Sequence, residues 1–292
     1  MAETMIGCGR EAIEMIVDNG SFLENTVGNS SFKPDYGPGA VVGTAALNGA
    51  PTTIIANDAH AINPRFPVVY FGVIGMEEAY KMACAVYESI AADADQPVEK
   101  KRPIVLIVDT PGNAPGKVEE IFGMNKATGA YQLALAEARK RGHAVVAIVI
   151  GRAISGAFLC HGLQADHILA LPGKYGTIIH VMPLSSISRI TKMDVERLEE
   201  LSVNSPVFAS GVEFFYRLGG VDEIVPAPAD MREAVPRHIA EICAYKVSGD
   251  QTHIGPWGRG LLGAERRGRV MRPLVLERME SEFEAVSAQY LL

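Results

Sequence analysis

Hydrophobic positions change period along the chain, and each change predicts an element. In GREAIEMIVDNGSF, the residues Ala12, Ile13, Ile16 and Val17 recur at helical spacing, which predicts a short amphipathic helix stopped by Asn19-Gly20. After the loop SSFKPDYGPG, the stretch AVVGTAALNGAPTTIIAND holds two strand-like runs around Asn48-Gly49, a strong hairpin signal. DAHAINPRFPVVYFGVIG keeps no period and is rich in proline and aromatic residues, so it reads as a surface or interface loop. Helical spacing returns in MEEAYKMACAVYESIAADA at Met76, Tyr80, Ala83, Cys84 and Tyr87, and the charged link DQPVEKKR follows.

From there the rhythm alternates. The buried-type strand 103–109 precedes a helical stretch over 117–141, then a strand over 143–150 and a helix from about 155. The short strands HILAL and GTIIHVM come next, and a helix begins near Pro183. Such a βαβα order predicts an α/β fold with a mostly parallel sheet, helices on its faces and right-handed crossovers. The remainder reads as helical apart from DEIVPAP. No linker, repeat or shift of composition divides the chain. We therefore expect one domain over 1–292, with a helical extension from about 230 and an outlying helix near Pro273–Gln289.

Composition narrows the function classes. Hydrophobic residues at 48% and charged residues at 21% are those of an ordinary globular protein. The 34 acids exceed the 27 bases, for a net charge of -7, which argues against a general nucleic-acid binder. No apolar run reaches the roughly 18 residues of a membrane span, and MAETMIGCGREA lacks a signal-peptide core. Cys8, Cys84, Cys160 and Cys243 form no CxxC pair, so neither disulfides nor a metal are expected. A cytoplasmic location without membrane insertion is the expectation.

Two loops carry the candidate chemistry. VDTPGNAPG, 108–116, follows PIVLI; VIGRAISGAFLCHGL, 149–163, follows HAVVAIVI. In a parallel sheet both would lie at the carboxyl ends of neighbouring strands, where open α/β folds bind ligands. The second loop spends Gly151, Ala153, Ser155, Gly156 and Ala157 at a strand-to-helix turn, where free amides of a helix start can hold a developing oxyanion. Equally, small residues there let a helix pack closely on a strand. Four polar candidates have ordinary readings beside functional ones. Cys160-His161 cannot readily pair, since adjacent helical side chains diverge by about 100°. His180 could orient a carboxyl group from the rim or be a structural histidine. Arg152 could attract a carboxylate or be an ordinary exposed arginine. Asp109 reads as a turn cap before Thr110-Pro111. KRGH and AERRGR read as solvated, the second also as a surface for an acidic carrier.

The pair VDTPGNAPG and GRAISGAF resembles the carboxyltransferase family of the crotonase superfamily, whose pattern is VDxPGxxPG followed by GKAYGGAY. GREAIEMIVDNGSF and the hairpin stretch resemble that family's opening elements. RFPVVYFGVIGMEEAYKMA and SGAFLCHGLQADHILAL are more similar to gamma subunits of malonate decarboxylase. Together these segments cover most of 9–195.

The resemblance implies a crotonase-like (ClpP/crotonase) spiral of ββα units, with an active site shared between two related domains or subunits. It implies that the Gly156 and Ala157 amides form an oxyanion hole, that Pro111, Gly112, Asn113, Gly116 and Ser155 shape a biotin site, and that His180 assists. It implies transfer of the carboxyl group of a malonyl thioester on acyl carrier protein to biotin carried by a separate protein. The implied partners are a homologous beta-type subunit, malonyl-acyl carrier protein and the biotin carrier, in association with a membrane decarboxylase complex.

Phe158-Leu159 departs from the propionyl-CoA type, which has Asp after GGAY. Retention of Pro111, Gly112, Pro115 and Gly116 departs from biotin-independent gamma subunits and favours the biotin-dependent, sodium-pump-linked system. Direct release of carbon dioxide, a lone hydratase or isomerase, and a non-catalytic assembly subunit are the alternatives.

Overall fold

The computed structural model describes residues 3–182, 184–202 and 211–290. Eight strands form one sheet: β1 (Leu23–Glu24), β2 (Ala40–Leu47), β3 (Ala50–Asn57), β4 (Ile104–Thr110), β5 (Val145–Ile154), β6 (His167–Ala170), β7 (Ile178–His180) and β8 (Glu223–Ile224). The order is β1-β2-β3-β4-β5-β6-β8, with β7 beside the far end of β5. β1, β2 and β3 pair antiparallel; every later pairing is parallel.

The β2–β3 hairpin turns at Asn48-Gly49, both in the left-handed region at φ 51° and 78°. The mirror-image turn needs this conformation, and Asp18 accepts from both turn amides. β4 is buried at all seven positions, as a strand covered on both faces requires. Its side chains alternate between two cores. Ile104, Leu106 and Val108 pack with Met82 of α2 (Met76–Ala92), Tyr131 of α4 (Met124–Lys140) and Ala157. Val105 and Ile107 pack with Ile13 and Ile16 of α1 (Gly9–Ile16) and with Val235 and Ile242 of α9 (Met231–Ser248). Between these lie α3 (Lys117–Phe122), α5 (Ser155–Cys160), α6 (Leu184–Thr191), α7 (Val195–Ser202) and α8 (Val212–Arg217). The chain continues through α10 (Gly255–Glu265) to α11 (Arg272–Val286), none of whose residues is buried.

Some expectations shift. The stretch 117–141 is two helices, because Gly123 at φ 103° ends α3 and begins α4. The first helix ends at Ile16 rather than at Asn19-Gly20: Val17 is already extended, and its N–H closes the last helical bond to Ile13. GTIIHVM contributes only three strand residues, since β7 meets β5 only over Arg152–Ile154. α6 starts at Leu184; Pro183 lies outside the described residues. No helix among the described residues is long and apolar enough to cross a membrane.

Candidate active site

The carboxyl ends of β4 and β5 build the site. Val108 pairs with Val149, but the next pair is Thr110 with Ala153, so β5 places Ile150, Gly151 and Arg152 against Asp109 alone. This bulge folds Arg152 onto Asp109. The Arg152 N–H and Nε each donate to Oδ1 at 2.8 Å, and Nη2 donates to Oδ2 at 3.0 Å. The Gly7 N–H donates to Oδ2 at 2.7 Å, tying the amino-terminal segment to the strand end. Gly151 permits the approach, since a Cβ there would lie 2.5 Å from Asp109 Oδ1. Arg152 is 6% exposed and covered by Phe71, whose ring centre lies 4.0 Å from its guanidinium carbon. It is therefore not an exposed arginine available to a substrate carboxylate. Asp109 does not cap its own turn but holds a buried counter-charge, because an ionised carboxylate at that depth requires one.

The loop after β4 is stitched to the segment before α2. The Ile74 N–H donates to Gly112 O at 3.1 Å, and the Ala114 N–H to Ile74 O at 2.9 Å. Thr110 Oγ1 accepts from the Gly112 N–H at 3.3 Å. These bonds set Gly112 and Asn113 toward the turn after β5. The nearest atom to a Cβ on Gly112 would be Ser155 Cβ, at 4.0 Å, and a Cβ on Gly156 would meet Asn113 Nδ2 at 2.8 Å. Pro111 sits half-buried beside Gly72. Gly116 faces Glu119 and Val68, as the residue preceding α3, and not the Ser155–Ala157 turn.

At that turn Ile154 is extended, Ser155 is exposed and left-handed at φ 57°, and α5 begins. The first amides of a helix have no partner within it. Among the described residues, nothing outside the helix accepts from the N–H of Gly156 or Ala157. Asn113 Oδ1 is buried beside them without a hydrogen-bond partner. His180 pairs with Ile154 across β7 and β5, which brings it to the same rim. Its Nδ1 is buried and unpartnered, and burial lowers its pKa, so the ring is neutral near neutral pH. Two loops and one histidine thus converge on a pair of free amides and an unpaired amide oxygen. This arrangement can hold a developing negative charge and accept one N–H.

Cys160 and His161 play no part in it. His161 Nδ1 contacts Tyr131 OH at 2.9 Å, and Nε2 contacts Ile107 O at 3.0 Å. Burial pushes this imidazole down to about 4 and the Cys160 thiol up to about 12. The basic clusters are also less solvated than their charge implies. His143 is fully buried against Arg102 O. Arg266 donates to the carbonyls of Tyr216, Val221 and Asp222, because these chain ends need donors.

Sequence reasoning missed the Asp109–Arg152 pair, although opposite charges at equivalent ends of neighbouring apolar strands were a usable signal. It read 58–75 as a surface or interface loop, and that stretch is largely irregular. Ile62, Tyr70 and Phe71 of that loop are 66%, 55% and 50% exposed, and Ile121 and Phe122 of α3 and Val181 just after β7 are 70%, 71% and 76% exposed. Exposed apolar side chains of this kind suit a protein–protein contact.

Residues 71–282 match the family described as malonate decarboxylase gamma subunit. Malonyl-S-ACP:biotin-protein carboxyltransferase MADD of Malonomonas rubra is 62% identical over 290 residues, covering 99% of both chains. A chain of the Pseudomonas malonate decarboxylase MdcD-MdcE hetero-dimer superposes with a TM-score of 0.69 at 28% identity, over 95% of this chain and 100% of that one. Transcarboxylase 12S superposes with a TM-score of 0.62 at 22% identity, over 80% of this chain and 40% of that one, a likeness of fold alone. The crotonase-like carboxyltransferase fold is therefore as expected, and this chain belongs to the malonate decarboxylase gamma-subunit family.

Proposed function

We propose that this chain is the carboxyltransferase subunit that moves the carboxyl group of malonyl-acyl carrier protein to biotin on a carrier protein, leaving the acetyl thioester. The observation that carries this reading is the placement of Asn113 over Gly156, with the Gly156 and Ala157 amides free beside it. The residues present fit a ureido group, which offers a carbonyl oxygen to two donors and an N–H to one acceptor; here the donors are the two amides and the acceptor is the unpaired Asn113 Oδ1. Biotin, when bound, would supply the nitrogen that takes the carboxyl group, its proton ending on the α-carbon of the acetyl thioester, with negative charge developing on the ureido oxygen.

The chain's own residues then act as follows. The Gly156 and Ala157 amides stabilise that charge without moving a proton, a preorganised effect for which one donor contributes about 3–4 kcal/mol. Asn113 fixes orientation. Neutral His180 offers Nδ1 at the rim to position the carboxyl group. Pro111, Gly112 and Ser155 shape the opening. The Asp109 carboxylate is occupied by Arg152 and Gly7, which disfavours its use as the acid or base of a hydratase or isomerase. The apolar rim of Ile62, Tyr70, Ile121 and Phe122 receives a homologous beta-type subunit that holds the thioester and closes the site to water.

Saturating avidin tests the proposal in the reconstituted complex. Avidin should abolish carboxyl transfer and acetyl-acyl carrier protein formation. Full decarboxylation in excess avidin would instead assign direct release of carbon dioxide, and turnover by the isolated chain would overturn the need for a partner.

A further inference from the structure

A second constellation lies at the other end of the strands. His167 opens β6, level with Val146 at the start of β5, whereas the Ser155–Ala157 turn follows the end of β5. Over His167 packs α9, which presents His238 and Glu241. Residues three apart share one helix face, so both point at the same spot. Nδ1 of His167 and Nδ1 of His238 face each other at 2.8 Å. Glu241 Oε2 stands 3.6 Å from His238 Nδ1, and all three ligand atoms lie within 4.8 Å of one another.

The outer contacts aim these atoms inward. His238 Nε2 meets Glu223 Oε2 at 2.9 Å, and Arg237 Nη2 holds both oxygens of that carboxylate at 2.9 and 2.8 Å. When Glu223 accepts the Nε2 proton, the lone pair of His238 stays on Nδ1, the tautomer a carboxylate–histidine–metal relay uses. The two histidines are 6% and 5% exposed, while the Glu241 side chain is 44% exposed and can swing onto a cation from solvent. A cleft of about 220 Å³ that includes Tyr245 and His253 opens over the three ligands.

We propose that His167, His238 and Glu241 form a binding site for one divalent transition-metal cation of the zinc class. Two imidazole nitrogens and one carboxylate oxygen suit such a borderline cation, whereas magnesium and calcium prefer oxygen alone. Bonds of about 2.0–2.1 Å set two ligand nitrogens roughly 2.9–3.4 Å apart, so the observed pair needs to open only slightly. The remaining coordination positions face the cleft and take water. The cation ties α9 to β6 and is separate in role from the carboxyl-transfer loops.

The test uses the full-length chain, freed of any affinity tag and treated with chelator, then titrated with Co(II) and Zn(II) alone. One equivalent of Co(II) should give d–d absorption bands that one equivalent of Zn(II) removes, and zinc should raise the thermal midpoint. His238→Ala should lose the bands, and Glu223→Gln should weaken binding about 10–100-fold, the usual effect of losing an outer partner. Should His238→Ala fail to fold, Glu241→Gln changes a solvent-exposed side chain and should still weaken binding at least about tenfold. A folded wild-type chain that takes up no stoichiometric metal would leave a His167–His238 hydrogen bond and overturn the site. Equal binding by wild type and the Glu241→Gln and Glu223→Gln variants would overturn it as well.

Discussion

Asn113 lies so close over Gly156 that a Cβ on the glycine would stand 2.8 Å from Asn113 Nδ2. This contact joins the loop after β4 to the turn after β5, and both the free amides and the unpaired Asn113 Oδ1 sit at the junction. Gly156→Pro removes the Gly156 N–H and should cost carboxyl transfer about 10²–10³-fold, the effect of losing one oxyanion donor, while the complex still assembles. Gly156→Ala, which keeps that N–H and meets only the end of the Asn113 side chain, should lose far less. Equal activity of a folded Gly156→Pro complex and the wild-type complex would show that the Gly156 amide is not used.

Asp109 and Arg152 form a buried pair with side-chain exposures of 2% and 8%. Removing one partner strands a charge, which costs about 3–5 kcal/mol. Asp109→Ala should lower the unfolding free energy by that amount in urea titrations. Gly151→Ala, which places a methyl group 2.5 Å from Asp109 Oδ1, should do so in the same direction. A loss below about 1 kcal/mol in both would mean that the pair contributes no more than an exposed one.

Acid should weaken the fold through His161. Burial holds its imidazole neutral down to about pH 4, against 6.5 for an ordinary histidine. Between those values the unfolded chain binds a proton that the folded chain refuses. Stability is thus complete above pH 6.5 and falls as pH drops toward 4, by about 3 kcal/mol for this group. Denaturant titrations at pH 7, 6, 5 and 4 should show that decline, and His161→Gln should flatten it. An identical slope in the variant would assign the acid sensitivity to other groups.

The exposed Ile62, Tyr70, Ile121 and Phe122 should be the contact for the partner subunit. Tyr70→Asp combined with Phe122→Asp should leave the circular dichroism of the isolated chain unchanged, because neither side chain is buried. Co-purification with the beta-type subunit should be lost. A complex that survives both charges would place the interface elsewhere.

The regular elements were legible because each rests on local or short-range pattern. Asn48-Gly49 sets a hairpin by the left-handed conformation it tolerates, and the unbroken apolar runs of β4 and β5 mark strands covered on both faces. The neighbouring placement of the two small-residue loops was legible for the same reason: strand order alone sends both to one end of a parallel sheet. The side-chain roles were not. Arg152 reads as an exposed cation until the bulge at 150–152 turns it onto Asp109, and that bulge depends on how two strands separated by α3 and α4 align. His167 and His238 lie 71 positions apart, and no spacing rule brings them to 2.8 Å; the packing of α9 over β6 does. The sequence by itself determined which segments form helices and strands and at which strand ends the two small-residue loops lie, because periodicity and turn chemistry act over a few residues. Only the tertiary structure decided which charges are paired, which amides stay free and which histidines converge. Those outcomes depend on burial and on distances across elements remote in the chain.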